Sequence, residues 1–414
     1  MNFKFMLNDQ FNNNVNTNDI DIIESLNNFE SNFLAYSKNS NKIFELSEKY
    51  KSFLTFQLHS VLISIFLDNQ DSLKNANKYL SESKILIKKD NITEREFLYY
   101  NFLSNLLCKK FFKALTCLES LIYQNNNDLF FAKIAQIFYF SVGNYKKMLE
   151  LAYLVIENNR KNPYALSMLS FALEESNEID KAMEVASKAI DIDETDPWSH
   201  HTLAHVFEVK NDPERGISTL EGLSYHWNKC NSFIYTHNWW HVALFNLKIN
   251  NFKKVFEIFN KHLWDSPNAD NSYSQDQAGA VSLLIRLKLK NKRIKKEWEK
   301  ISEKIIIRKN FFSDPFITPH YAYVIGSYGE KDLKTKFLEE LEFLDQSKND
   351  YDKKIWQKSG VPLSKAMISH AEKNYRDAVY YFKQSKEYWH LIGGSHTQRD
   401  LFDLIYNDAK KKLK

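Results

Sequence analysis

K-F-F-K-A-L (110–115), G-N-Y-K-K-M (143–148), N-E-I-D-K-A (177–182) and N-D-P-E-R-G (211–216) are four versions of one phrase. Phe111, Tyr145, Ile179 and Pro213 follow one another at intervals of 34, as do Ala114, Met148, Ala182 and Gly216. An aromatic or apolar residue with a small or apolar one three later opens the second helix of a tetratricopeptide unit. The interval of 34 is that unit's length. One such helix pair cannot bury its apolar face alone. Neighbours therefore stack into a superhelix, with the first helix of each pair lining the inner surface. Later copies drift: N-N-F-K-K-V (250–255) is displaced from the period, and K-N-Y-R-D-A (373–378) opens a final helix pair.

Composition agrees. The chain has 414 residues, 43% of them hydrophobic, but only 9 Gly and 7 Pro. Average usage would give roughly 29 and 20. Turn-rich β-sandwiches and Rossmann sheets are thereby disfavoured. The expectation is an all-α, TPR-like solenoid of antiparallel helix pairs, closed by its C-terminal helices. Residues 1–20 are Asn-rich and expected to fray, 21–264 carry the repeats, and 265–414 complete the superhelix and close a pocket. S-D-P-F-I-T-P-H (313–320) reads as an irregular stretch entering a helix.

Lys+Arg total 56 against Asp+Glu 52, too balanced for a dedicated nucleic-acid binder. No run of about 20 apolar residues offers a membrane span, and the N-terminus lacks the apolar core of a secretory signal. Cys108, Cys117 and Cys230 are scattered, without a C-x-x-C, which suits a reducing compartment and a cytoplasmic protein. There is no phosphate loop, no G-x-S-x-G elbow and no dinucleotide fingerprint. Oligomeric state is not legible.

Chemistry is hinted at in one place. His201, His205 and Glu208 share one helical face; His237 and His241 share another, one repeat later. Aligned on Gly216, His200, Leu203, Ala204 and Phe207 fall on packing positions, while His201, His205 and Glu208 face the groove. Histidines four apart on a helix can grip one ion. His205, His237 and His241 are candidate ligands for zinc, iron or manganese. Trp239 and Trp240 would wall a pocket or pack between helices. The blander alternative is a polar, peptide-contacting groove, or histidines satisfied by backbone.

Gly393-Gly394 opens a turn, and Ser395 is a natural N-cap for the last helix. After it come His396, Gln398, Arg399 and Asp400. Arg399 has the fork to take a ligand carboxylate, with Gln398 beside it, and His396 and Asp400 to assist in catalysis. His320 and Asp276, both at helix starts, are further candidates for the ligand site.

H-H-T-L-A-H-V-F-E-V (200–209), H-N-W-W-H-V-A-L (237–244) and G-G-S-H-T-Q-R-D-L-F (393–402), with D-Q-A-G-A-V-S-L-L-I-R-L (276–287) and P-H-Y-A (319–322), resemble the tetratricopeptide repeat protein 38 family. The resemblance covers roughly residues 130–410. It departs at Val209-Lys210. It implies a helical-repeat fold and no particular reaction. The functional expectation is a His-rich concave pocket for a small, carboxylate-bearing metabolite, with hydrolysis or other acid–base chemistry, metal-assisted or not. His201, His205, Glu208, His237, His241, His396 and Asp400 would act on the ligand. Arg399, Trp239, Trp240, His320, Gln398 and Asp276 would hold it. The rival expectation is a non-catalytic scaffold that binds a peptide or protein partner in an open groove.

Overall fold

In a computed structural model the described residues are 6–69, 71–89, 92–308, 310–312, 314–346 and 350–414. Residues 1–5 of the N-terminal stretch, and Ser313 of the proline-rich stretch, lie outside them. Among the described residues the architecture is all-α, a TPR-like array of antiparallel helix pairs. None of these helices is long and apolar enough to cross a membrane.

The helices are α1 (Ile20–Leu34), α2 (Ile43–Lys49), α3 (Leu54–Leu67), α4 (Ser72–Lys89), α5 (Glu94–Leu107) and α6 (Phe111–Gln124). They continue as α7 (Leu129–Ser141), α8 (Tyr145–Ile156), α9 (Pro163–Glu175), α10 (Ile179–Ile192), α11 (Pro197–Val209), α12 (Pro213–Leu223) and α13 (Ser232–Lys248). The remainder are α14 (Phe252–Ile258), α15 (Ser274–Leu289), α16 (Lys295–Ile306), α17 (Thr318–Tyr328), α18 (Lys331–Gln346), α19 (Asp350–Ile355), α20 (Val361–Ala371), α21 (Tyr375–Ser385) and α22 (His396–Leu413).

The period is written into the helix starts. Phe111, Tyr145, Ile179 and Pro213 are the first residues of α6, α8, α10 and α12. Two residues before each, Lys109, Gly143, Asn177 and Asn211 sit at φ 56°, 65°, 64° and 56°. Each hairpin therefore turns through one left-handed residue. Asparagine, which tolerates that conformation, does much of the work usually given to glycine. This is how a chain with 9 Gly makes so many reversals. Ala114, Met148 and Ala182 are buried where the second helix of each pair crosses its partner.

The chain divides into two compact units. The first comprises residues 1–139 and 145–238, the second 140–144 and 239–414. The division falls within α13, after Asn238. In the first unit α3 packs on α4, α5 on α6, α9 on α10, and α11 on both α9 and α12. In the second, α15 packs on α16 and α17, α17 on α20, α20 on α21, and α22 on α21 and α15.

The expectation of a frayed N-terminus is corrected from residue 6 onward. Leu7–Asn8 and Asn14–Val15 pair as a short antiparallel hairpin. Asp9 accepts from the backbone of Phe11 and Asn13. Asn13 donates to Asp128 at 2.9 Å, and Asn125 donates to the Phe11 carbonyl at 2.9 Å. Phe11 and Val15 are buried. Polar composition misled here because these Asn and Asp side chains satisfy backbone and one another instead of water.

Candidate functional site

The site is built by the inner helices of the first unit. Asn162 caps α9 and Asp196 caps α11, each with Pro in the first helical position. A side chain that accepts the free N–H groups, followed by a residue that has none to offer, fixes the helix start. The α11 register then puts His201 and His205 one turn apart on a single face, and both are buried.

Glu174, on α9, accepts from His205 Nδ1 at 3.1 Å. A carboxylate only accepts, so that nitrogen carries the proton and Nε2 is turned the other way. His205 Nε2 lies 3.0 Å from His201 Nε2, and His237 Nε2, on α13, lies 3.1 Å from that same atom. Glu175 Oε1 is 4.0 Å from His205 Nδ1. Burial by itself would make the His205 ring harder to protonate. Glu174, through charge and hydrogen bond, then Glu175 and Glu208, override it and hold its pKa above the ordinary value. His237 goes the opposite way, pushed down to about 3 by desolvation and by the charge of His205.

His201 Nε2 thus faces two other imidazole nitrogens, yet a ring nitrogen has one in-plane position with which to donate or accept. One linear hydrogen bond satisfies one neighbour, not both. A cation takes the lone pairs of all three. Two Zn–N bonds of about 2.05 Å at the tetrahedral angle place their nitrogens about 3.3 Å apart, close to the spacings here. Glu174 behind His205 is the carboxylate–imidazole arrangement that orients metal-bound histidines. The ring nitrogens of His201, His205 and His237 lie within 4.8 Å of one another.

His241 follows one turn after His237 on α13 and belongs to the second unit, buried edge-on against Trp240 at 5.0 Å. Glu208, the carboxylate partner expected from the sequence, is half-buried and its charge is among those that raise the His205 pKa. The hydrogen-bonded carboxylate is Glu174, one period of 34 earlier. His200 packs between helices as the register requires. Its Nε2 donates to the Glu194 carbonyl at 3.0 Å and its Nδ1 accepts from Trp227 at 3.0 Å.

Sequence reasoning missed Lys133 as well, two periods of 34 before His201. It projects from α7, 2% exposed, with its ammonium 3.9 Å from the Trp198 ring centre and 4.9 Å from that of Tyr36. Trp198 in turn stacks on His201 at 4.6 Å. Subtracting the repeat length from each groove-facing position would have found both Lys133 and Glu174.

The remaining candidates lie in the second unit. Trp239 stacks on His262 at 3.8 Å, and Trp240 lies under the Arg286 guanidinium. Arg286 also donates to the Thr397 carbonyl at 2.9 Å, tying α15 to α22. Asp276 is buried in the first turn of α15. His320 is buried between Phe316 and Phe402. Its Nδ1 donates to the Phe316 carbonyl at 3.0 Å, and burial pushes its pKa down to about 4.

Ser395 caps α22, and Gln398 closes the capping box with its Oε1 2.8 Å from Ser395 N. Arg399 turns back to donate to the carbonyls of Gly393 and Gly394. Both glycines have positive φ, 75° and 74°. A Cβ on Gly394 would meet the Phe316 ring at 2.6 Å. His396 and Asp400 are exposed. The G-G-S-H-x-Q-R-D block thus builds a tight turn, a helix cap and a guanidinium clamp.

No family model matches the chain. The resemblance to the tetratricopeptide repeat protein 38 family therefore rests on the residues quoted for it. Among solved structures the chain is similar to one titled "Crystal Structure of Rap Protein Complexed with Competence and Sporulation Factor". The TM-score is 0.43 and the identity 14%, over 87% of this chain and 98% of that one.

Proposed function

We propose that this chain is a ligand-binding protein of the TPR-like type, similar to the tetratricopeptide repeat protein 38 family, working in the cytoplasm. In this reading the polar centre on its inner helices takes a divalent transition metal on His201, His205 and His237. His241 is the next imidazole along α13. The observation that carries the reading is the meeting of three Nε2 atoms at 3.0 and 3.1 Å, with Glu174 bound behind His205. An ion held there would polarise a carbonyl or acidify a bound water, which suits hydrolysis of a small polar metabolite. Glu174 would fix the tautomer and orientation of His205 as a ligand.

The test is metal analysis of protein purified without chelator, followed by Co(II) titration with its visible absorption as readout. One equivalent of bound metal is expected, lost in His201→Ala and in His205→Ala. Glu174→Gln should weaken it by about 10- to 100-fold, whereas Glu208→Gln should change it little. Folded wild-type protein that neither retains metal nor binds Co(II) would sink the metal reading.

A second reading, an interaction scaffold, is favoured by the architecture. Stacked helix pairs present their inner helices as one continuous surface, on which such arrays receive extended peptides. Against it, His201, His205, Glu174 and Lys133 are all buried, which leaves little of their chemistry for a long peptide to reach.

A further inference from the structure

We propose that Lys133 and the indole N–H of Trp198 form a carboxylate-binding slot beside the imidazole cluster. The inference rests on the reading of this inner face as a ligand site, and it names the group that the ligand must carry. An ammonium has three N–H donors. One is accepted by Gln136 Oε1 at 3.2 Å, and Gln136 is held in turn by donating to the Met168 carbonyl at 2.7 Å. The rest of the ammonium faces the rings of Trp198 and Tyr36, which stack on each other at 5.1 Å.

Trp198 Nε1 is buried with no acceptor, on a side chain 6% exposed. Leaving such donors unpaired in a protein interior is costly, and few native groups do so. Asp196 does not meet the need. Its oxygens accept from the Trp198 and Ser199 backbone and the Ser199 hydroxyl, as the cap of α11. Donors therefore outnumber acceptors around Trp198, and an external acceptor corrects the imbalance.

A singly charged, planar carboxylate fits two such donors, one charged and one neutral; a phosphate dianion asks for more. Desolvation pulls the Lys133 amine well below its ordinary pKa, and Asp196 alone opposes it. A ligand carboxylate would add a second opposing charge. A molecule anchored here lies one ring away from His201, so its body would reach the three imidazoles. His237 and Phe233, which neighbours Tyr36 at 6.3 Å, are half-buried.

The carboxylate can belong to a small acid or to a peptide's C-terminus. Calorimetry and saturation-transfer NMR would use acetate, N-acetylglycine and tetra-alanine, each beside its amide, on chelator-treated and Zn(II)-loaded protein. Binding of acids and not amides is expected, weakened about 10-fold or more in Lys133→Met. A smaller weakening is expected in Trp198→Phe, which keeps the ring and loses the N–H. Preference for N-acetylglycine over tetra-alanine assigns a small acid; the reverse assigns a chain terminus.

Amides that bind as well as acids would overturn the proposal. So would acid binding unchanged in both variants, or no binding in either metal state. Circular dichroism checks folding; if Lys133→Met is unfolded, Trp198→Phe decides. Acid binding by folded protein that neither retains metal nor binds Co(II) upholds the slot while refuting the metal reading. Metal binding without acid binding does the reverse.

Discussion

Single residues here are governed by what burial does to charge. His200 and His320 are each buried neutral, with pKa values pushed down to about 4. A depressed histidine pKa means that the unfolded chain binds protons more readily than the folded one. Stability from these residues is complete above pH 6.5 and is lost as pH falls toward 4. At pH 5 each should have cost about 2 kcal/mol relative to pH 7. Urea denaturation at both pH values measures it. His320→Asn, which keeps a donor for the Phe316 carbonyl and cannot titrate, should flatten the dependence by about its own share. An unchanged slope would show that His320 titrates normally. The same scale shows where sequence reading stopped. The sequence points to Glu208 as the carboxylate partner of the cluster, and the carboxylate that accepts from His205 Nδ1 is Glu174, one repeat earlier. Glu208 shares a helix face with His205, whereas Glu174 reaches it from the neighbouring helix.

At the scale of elements, the last turn before α22 shows a motif whose role is set by its backbone. Two left-handed glycines, a Ser–Gln capping box and the Arg399 clamp form one device. Arg399→Ala removes two charge-assisted bonds to buried carbonyls and should destabilise the fold by about 2–3 kcal/mol. Metal uptake by the first unit should be unaffected. If instead the variant melts like wild type but loses ligand binding, Arg399 is a ligand anchor, as its residue type alone suggests. The helix starts were legible to the residue, because the period, the caps and the αL turn positions are local requirements stated in the chain. What the clamp holds was not, since guanidinium–carbonyl pairing leaves no spacing signature.

For the molecule as a whole, charge also decides how far order extends. Arg95 sits among Asp128, Asp9 and Glu30, with its NH2 2.7 Å from Asp128 and 3.7 Å from each of the other two. These three carboxylates, buried in the first unit, hold the guanidinium protonated despite its burial. Burial in turn raises the Glu30 pKa well above its ordinary value. The network binds the hairpin of residues 7–15 to α1, α5 and α7. Arg95→Met leaves buried carboxylates uncompensated and should cost about 3–5 kcal/mol. Removing residues 1–17 should lower the melting temperature too, and protease should then cut near α1. A truncated chain as stable as the full one would mean that the hairpin contributes nothing.

By itself the sequence determined the helix pairs, their phase and the face on which His201, His205 and His237 lie. Periodicity, capping and turn preference act over a few residues and are carried by the residues themselves. The tertiary structure alone decided which carboxylate meets His205, that Lys133 packs against Trp198 and Tyr36, and that residues 7–15 form a hairpin. Those outcomes depend on distance and desolvation between segments far apart in the chain. A linear pattern does not encode either quantity.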